Sequence, residues 1–324
     1  MSKKLAHAIV SDYLHISKEL GRPPSQDYYL LNGIYSKRNI DSAFGGWTQL
    51  IQAAGYQIPS VKKDKTQIEI AVSNHIKKES QERKLYALPP MVYHHVFVWS
   101  DRHRPYSHPD TIQFLIAIKR KYKFDLVIDI GDGEDFHGMS FHDKDPDLLS
   151  PGHELEKIIE QSQEIYKEFP NVLTCESNHG SLVYRKGKHH GFPRHVLKSY
   201  REVLQAPEGW EWHHEIIIQM SDGRKCLFHH GYSANTLLAS QKRGMSLVQG
   251  HFHSKFGIQY WENATDKFFA AQTGCLIDDK SYAFAYNKLG LERPILGCLR
   301  IENGVPHLLP MHLDRSGRWN GVVP

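Results

Sequence analysis

The sequence predicts a layered α/β sandwich, two sheets flanked by helices, behind a small N-terminal helical domain. Three observations predict it. Between residues 91 and 177, β-rich apolar runs alternate with helical patterns, which implies parallel strands joined by helical crossovers. From residue 215 to 274, short apolar runs follow one another, which implies a second sheet. Residues 3–54 show helical periodicity punctuated by Gly and Pro. A chain of 324 residues with 40% hydrophobic and 23% charged residues can bury a core and has room for two domains. No apolar run approaches the ~20 residues that a bilayer requires. The opening MSKKLAHAIVSDYL has neither the apolar segment nor the cleavage site of a secretory signal. Cys175, Cys226, Cys275 and Cys298 are widely spaced, which fits a reducing cytoplasm better than a disulfide framework.

The N-terminal elements come first. Residues 3–20 form an amphipathic pattern with Leu5, Ile9, Leu14 and Ile16 as a loose apolar stripe, stopped by Gly21. The turn Arg22-Pro23-Pro24 leads to Ser25, placed as the N-cap of a second short helix. A third helix is expected from about Asp41 to Ala54, with Phe44, Trp47, Leu50 and Ile51 on one face. The expected organisation is a helical module at 1–60, a charged helical connector at 61–88 and a main domain at 89–324. Charge follows these divisions. Residues 1–85 hold 13 Lys and Arg against 8 Asp and Glu, so the excess positive charge of a chain with net charge +4 lies in that first quarter. Of 22 histidines, only His7, His15 and His75 fall there. A basic head on a His-rich body suggests a polyanion-binding appendage on a metal-handling domain.

In the main domain, strands are expected at 91–99, 124–130, 171–177, 215–220, 226–230, 246–250 and 268–274, with helices at 111–122 and 155–169. Several of these strands run into Asp, Asn or His: Asp101, Asp132, Asn178, His230 and His251. Ligands of open α/β sheets bind at the carboxyl ends of strands. One buried acid or imidazole at a strand end ordinarily just bonds a loop; a series of five is hard to assign to packing. Oxygen and imidazole donors without cysteine suit Mn, Fe or Zn. Other residues border the expected site. His94 and His95 lie in the first strand, and His137 and His142 follow the second. His189 and His190 come after Asn178, and His213 and His214 fall in an expected loop. Arg185, Lys186, Lys188 and Arg194 form a basic loop, which suits either a phosphate backbone or ordinary solvated surface.

Read in order, Asp101-x-His103, Gly131-Asp132-x-x-Asp135, Asn178-His179, His230-Gly231 and Gly250-His251-x-His253 closely resemble the motif series of the calcineurin-like metallophosphoesterases. The resemblance implies a metallophosphoesterase-type sandwich that binds two divalent ions, with Mn the first expectation and Fe or Zn the others. It assigns Asp101, His103 and His253 to one ion, Asn178, His230 and His251 to the other, and Asp132 as the bridge. It makes His179 the catalytic residue at the substrate, with Asp135 orienting it or a ligand histidine. Two departures stand out. Ser177 replaces a Gly, and Gly180 replaces the acid that ordinarily follows the catalytic His, so Asp135 and Glu176 are both candidates to orient His179. The H-G pairing favours His230 over His229 as ligand.

The strings LGRPPSQDYY and SAFGGWTQLIQAAGY resemble the short helical repeat found beside homing endonucleases, a DNA-binding unit, over roughly residues 13–57. Arg22, Lys37 and Arg38 are the candidate phosphate contacts. A DNA-binding unit on a two-metal phosphoesterase implies a DNA nuclease, endo- or exonucleolytic, in the cytoplasm, with a phage-encoded setting suggested by the repeat. The alternative is a phosphodiesterase or phosphatase for small nucleotides or phosphoproteins, with the N-terminal module used for docking. DNA is the expected partner and a membrane is not. A homo-oligomer is compatible with the sequence, though no residue identifies an interface.

Overall fold

The computed structural model describes residues 3–56, 86–141, 147–278, 280–281 and 292–324. The chain divides into two compact units, Met1–Lys77 and Lys78–Pro324.

The N-terminal unit holds four helices: α1 (Lys3–Leu20), α2 (Gln26–Asn32), α3 (Lys37–Phe44) and α4 (Trp47–Ala53). Ser25 caps α2, its hydroxyl accepting from the Tyr28 N–H at 3.2 Å. The expected third helix is two helices. Ser36 and Asn39 form a capping box that starts α3 before Asp41, and Gly45 ends it with φ of 83°. Gly46, at φ 152°, then turns the chain into α4. The helices pack around Ile9, Tyr13, Ile16, Tyr29, Ile40 and Leu50, with Trp47 edge-on to Tyr13 at 5.5 Å. The connector helix expected at 61–88 lies outside the described residues up to residue 85, and residues 86–88 open the first strand instead.

The second unit is two mixed six-stranded sheets with helices on both outer faces. Its strands are β1 (Tyr86–Tyr93), β2 (His95–Trp99), β3 (Leu126–Asp129), β4 (Val172–Cys175), β5 (Trp210–His213) and β6 (Ile216–Met220). They continue as β7 (Lys225–His229), β8 (Ser246–Gln249), β9 (Phe256–Glu262), β10 (Lys267–Thr273), β11 (Gly297–Glu302) and β12 (Val305–Pro310). The helices are α5 (Thr111–Lys121), α6 (Pro151–Glu168), α7 (Leu182–His189), α8 (Tyr200–Leu204) and α9 (Thr236–Arg243). One sheet runs β1-β6-β7-β8-β10-β9 and the other β12-β11-β2-β3-β4-β5.

Strand alternation sorts the layers. Val96 and Val98 of β2 face Ile216, Ile218 and Phe228 of the opposite sheet, while Phe97 and Trp99 turn outward onto Phe114, Ile118 and Ile165 of α5 and α6. Ile217 and Leu227 of the other sheet pack outward on Ala239 of α9. Burying side chains of this size contributes roughly 1.5–3 kcal/mol each, so these layers hold the strand ends rigidly.

The single strand expected at 91–99 is two strands in different sheets. The Asp125 carboxylate takes the N–H groups of both His94 and His95, at 2.8 and 2.9 Å, where the chain crosses over. β1 tolerates Pro89 and Pro90 because it lies at a sheet edge with a shifted register between Ala87 and Val92. His213 closes β5 rather than lying in a loop. The expected basic loop is helical over Leu182–His189. His142 lies outside the described residues.

Candidate metal centre

β2, β3 and β4 are parallel neighbours in one sheet, and β7 and β8 are parallel neighbours in the other. Their carboxyl ends lead to Asp101, Asp132, Asn178, His230 and His251, and the structure brings these together with His103, His179 and His253. Three overlapping groups, Asp101–His103–His253, His103–Asp132–His179 and Asp132–His230–His251, each offer ligand atoms within 4.8 Å of one another. Asp132 and His103 belong to two groups. Asn178 joins through its Oδ1, 2.8 Å from His230 Nε2.

The backbone is bent to make this possible. Asp101, His103, Asp132 and His251 all have left-handed φ, between 47° and 69°, a conformation that costs non-glycine residues energy and recurs at functional sites. Main-chain bonds hold the bends. Asp101 N–H donates to Gly131 O at 2.9 Å, and His103 N–H to Asp132 O at 2.9 Å. His251 N–H donates to the Asp101 carboxylate at 2.8 Å, which ties the two sheets together. Gly250 is required there: a Cβ would lie 1.9 Å from Ser100 Oγ and 2.4 Å from Asp101 Oδ2.

The histidines are aimed by their far nitrogens. His230 Nδ1 lies 3.1 Å from the Ile130 carbonyl. A carbonyl can only accept, so Nδ1 carries the proton and Nε2 turns to Asp132 Oδ2, 3.1 Å away. His103 Nδ1 lies 2.6 Å from Asp135 Oδ1, which leaves Nε2 to face Asp132 at 3.6 Å and Asp101 at 3.8 Å. Imidazoles anchored from behind by a carboxylate or carbonyl are the arrangement that metal ligation uses. Carboxylate oxygens, a carboxamide oxygen and ring nitrogens thus point at each other, and only protons or cations reconcile them.

The ionisation of the site follows from that crowding. Burial alone would raise the Asp101 carboxyl, but hydrogen bonds from His103 and His253 hold it well below the usual range. Burial opposes charge on His103, yet its bonds to Asp101 and Asp135 raise it to about 10. Against the same burial, Asp132 raises His230 to about 9. A pocket that gathers protons to neutralise its carboxylates can exchange them for divalent ions. The donor set fits two such ions. Asp101, His103 and Asp132 are buried, whereas His251 and Asn178 are exposed, so the site opens on the Asn178–His251 side.

His179 Nδ1 donates to the main-chain carbonyl of Asp135 at 2.5 Å, with Asp135 Oδ1 at 3.5 Å. Asp135 therefore contacts both His103 and His179. Glu176 pairs instead with Arg194 at 3.3 Å. His229 stacks on Tyr232 with ring centres 3.7 Å apart and turns away from the cluster. Burial, helped by the neighbouring His214 and His230, pushes His229 down to about 3.

Sequence reasoning missed the support behind the site. Buried Arg102 pairs with Asp129 at 2.5 Å between Trp99 and Trp210, and buried Arg104 pairs with Glu134 at 2.5 Å. The string Asp101-Arg102-His103-Arg104 was the available signal, since arginines alternating with ligands at a buried strand end must find partners inside. In the N-terminal unit, Arg22 lies exposed in the turn after α1, and Lys37 and Arg38 lie exposed at the start of α3.

Residues 9–57 match the family model of the homing endonuclease associated repeat. No curated protein is found to match the chain. Among solved structures, Vps29 of Chaetomium thermophilum is 11% identical, with 72% of this chain and 96% of that chain covered and a TM-score of 0.38. Vps29 of Entamoeba histolytica complexed with Zn²⁺ is 11% identical, covering 71% and 96%, with a TM-score of 0.35. YfcE, a phosphoesterase from E. coli, is 13% identical, covering 70% and 96%, with a TM-score of 0.34. No helix among the described residues is long and apolar enough to cross a membrane.

Proposed function

We propose that this chain is a metal-dependent phosphodiester hydrolase that cuts DNA. The observation that carries the reading is the convergence of ligand-type side chains from five strand ends, with two of the imidazoles anchored from behind. The motif order supports a phosphoester substrate, and the repeat match at residues 9–57 supports DNA.

In this reading Asp101, His103 and His253 would hold one ion, Asn178, His230 and His251 would hold the second, and Asp132 would serve both. When bound, two divalent ions supply Lewis-acid charge for the phosphate oxygens and an acidified water. Oxygen and nitrogen donors favour Mn, with Fe and Zn as the other candidates. The four cysteines are all buried and suit a reducing cytoplasm. His179 is half-buried at the rim. With Nδ1 committed to the Asp135 carbonyl, its Nε2 is the atom that gives a proton to the leaving oxygen. Asp135 positions both His103 and His179. Arg22, Lys37 and Arg38 supply phosphate contacts from the N-terminal unit.

The test is Mn²⁺-dependent cleavage of linear and closed-circular DNA, with His179→Ala as control. Cutting of the wild type that the variant loses is expected, and the circle reports whether a free end is needed. Hydrolysis of a small chromogenic diester with no cutting of either DNA would move the substrate to small nucleotides.

A further inference from the structure

The residues that follow the metal-site loop have an unusual charge. Between Glu176 and Glu202 there is no Asp or Glu, while Arg185, Lys186, Lys188, Arg194, Lys198 and Arg201 all fall there. The whole chain carries a net charge of +4, so everything outside this stretch sums to −2. The surplus attributed above to the first quarter is thus matched by a second, denser one beside the site.

Its placement is fixed by the fold. α7 starts three residues past His179, with the Leu182 N–H on the His179 carbonyl at 2.9 Å. Arg185 Nη1 donates to the Asn178 carbonyl at 3.3 Å. The basic surface is therefore fastened to the open side of the candidate metal centre. Arg185, Lys188, Arg194 and Lys198 are exposed. Lys186 lies 4.0 Å from the centre of the Phe141 ring, and that ring is itself 46% exposed. Phe192, in the turn after α7, is 56% exposed.

The bland account is that basic residues complement the carboxyl end of a helix dipole. It covers Lys186 and Lys188. It does not cover Lys198, which lies beyond α7, nor two phenylalanines left in solvent among cations; Arg194, also beyond α7, pairs through Nη2 with Glu176 at 3.3 Å but keeps its side chain half exposed. Cations interleaved with exposed aromatic rings are what a nucleic-acid strand meets: phosphates on Lys and Arg, bases on ring faces.

We infer that α7 and the turn after it form the track that holds the DNA strand beside the scissile phosphate, with Lys188, Arg194 and Lys198 on its backbone phosphates. This rests on the proposed DNA-cutting function and names the surface that delivers the substrate. The three residues hold no part of the metal cluster, so their removal leaves the chemistry in place.

The experiment uses the full chain with Lys188, Arg194 and Lys198 all changed to Ala. Small-diester hydrolysis with Mn²⁺ reports that the site is folded and is expected to be unchanged. The KM for DNA cleavage is then followed from 50 to 200 mM salt. Each phosphate contact adds a log–log salt slope of about 0.9, so losing three makes the rise in KM over that range ~40-fold smaller than for the wild type. An unchanged salt slope, with DNA still cut, would overturn the track and leave the nuclease reading standing. A wild-type protein that hydrolyses the small diester but cuts no DNA would overturn both.

Discussion

Replacing Asp135 by Asn separates metal binding from proton transfer, because one residue serves both through different atoms. Its carboxylate holds His103 Nδ1 at 2.6 Å, and its main-chain carbonyl holds His179 Nδ1 at 2.5 Å. The substitution weakens the first contact and keeps the second. His103 is buried at 2% exposure, so water cannot replace the lost bond. A hydrogen bond to a charged group contributes about 1.5–3 kcal/mol, which corresponds to roughly 10- to 150-fold in affinity. Substitutions behind metal ligands typically cost ~10–100-fold, which agrees. Asp135→Asn should therefore weaken Mn²⁺ binding by one to two orders of magnitude in a calorimetric titration. At saturating Mn²⁺, its kcat on a small diester should fall far less. Unaltered metal affinity would show that Asp135 does not anchor His103 for ligation, and a kcat at saturating metal as low as that of His179→Ala would show that the two roles are not separable.

His179→Ala should keep the metal affinity and lose ~10²–10⁴ in kcat, the usual contribution of a positioned acid or base; a parallel loss of metal would make it a ligand instead. Deleting residues 1–56 removes a unit with its own core, so it should weaken DNA binding and flatten its salt dependence while small-diester hydrolysis persists. Truncated protein that bound DNA as well as the full chain would sink the role given to the repeat. Asp110 is held down to about 2 by its bond with Arg318, against burial and helped by the Trp319 N–H. A carboxyl depressed below its ordinary value stabilises above about pH 4 and loses that effect as pH falls toward 2. Arg318→Ala should thus lower the metal-free unfolding temperature at pH 7, with the gap closing between pH 4 and 2; a gap that widened on acidification would contradict the pairing.

The site was more legible than the frame around it. Asp101, Asp132, Asn178, His230 and His251 follow strands whose apolar runs are unbroken, and parallel strands must deliver their carboxyl ends to one edge. The H-G pairing already favoured His230 over His229, and the physical reason lies in the fold: adjacent residues on a strand face opposite ways, so His230 turns to Asp132 while His229 stacks on Tyr232. Asp135 was one of two candidates to orient His179, but the choice between it and Glu176 was illegible because Asp135 acts through its main-chain carbonyl, which no side-chain pattern encodes. The break at His94 depends on Asp125, 31 residues away. Helices α7 and α9 are each eight residues long, too short for periodicity to stand out. The split of α3 from α4 was written in Ser36 and Gly45-Gly46, signals that the Phe44–Trp47–Leu50 apolar spacing masked.

A paired-ion centre that drives phosphodiester hydrolysis requires that metal occupancy and rate rise together. The decisive measurement titrates metal-free protein with Mn²⁺ and follows, on the same samples, ions bound per chain and rate of diester hydrolysis. Two ions per chain are expected, with activity that follows the filled pair, and both should be lost in Asp132→Asn, whose carboxylate belongs to two of the three ligand groups. Full activity with one ion or none, or an Asp132→Asn protein that binds and cuts like the wild type, would contradict the paired-ion centre.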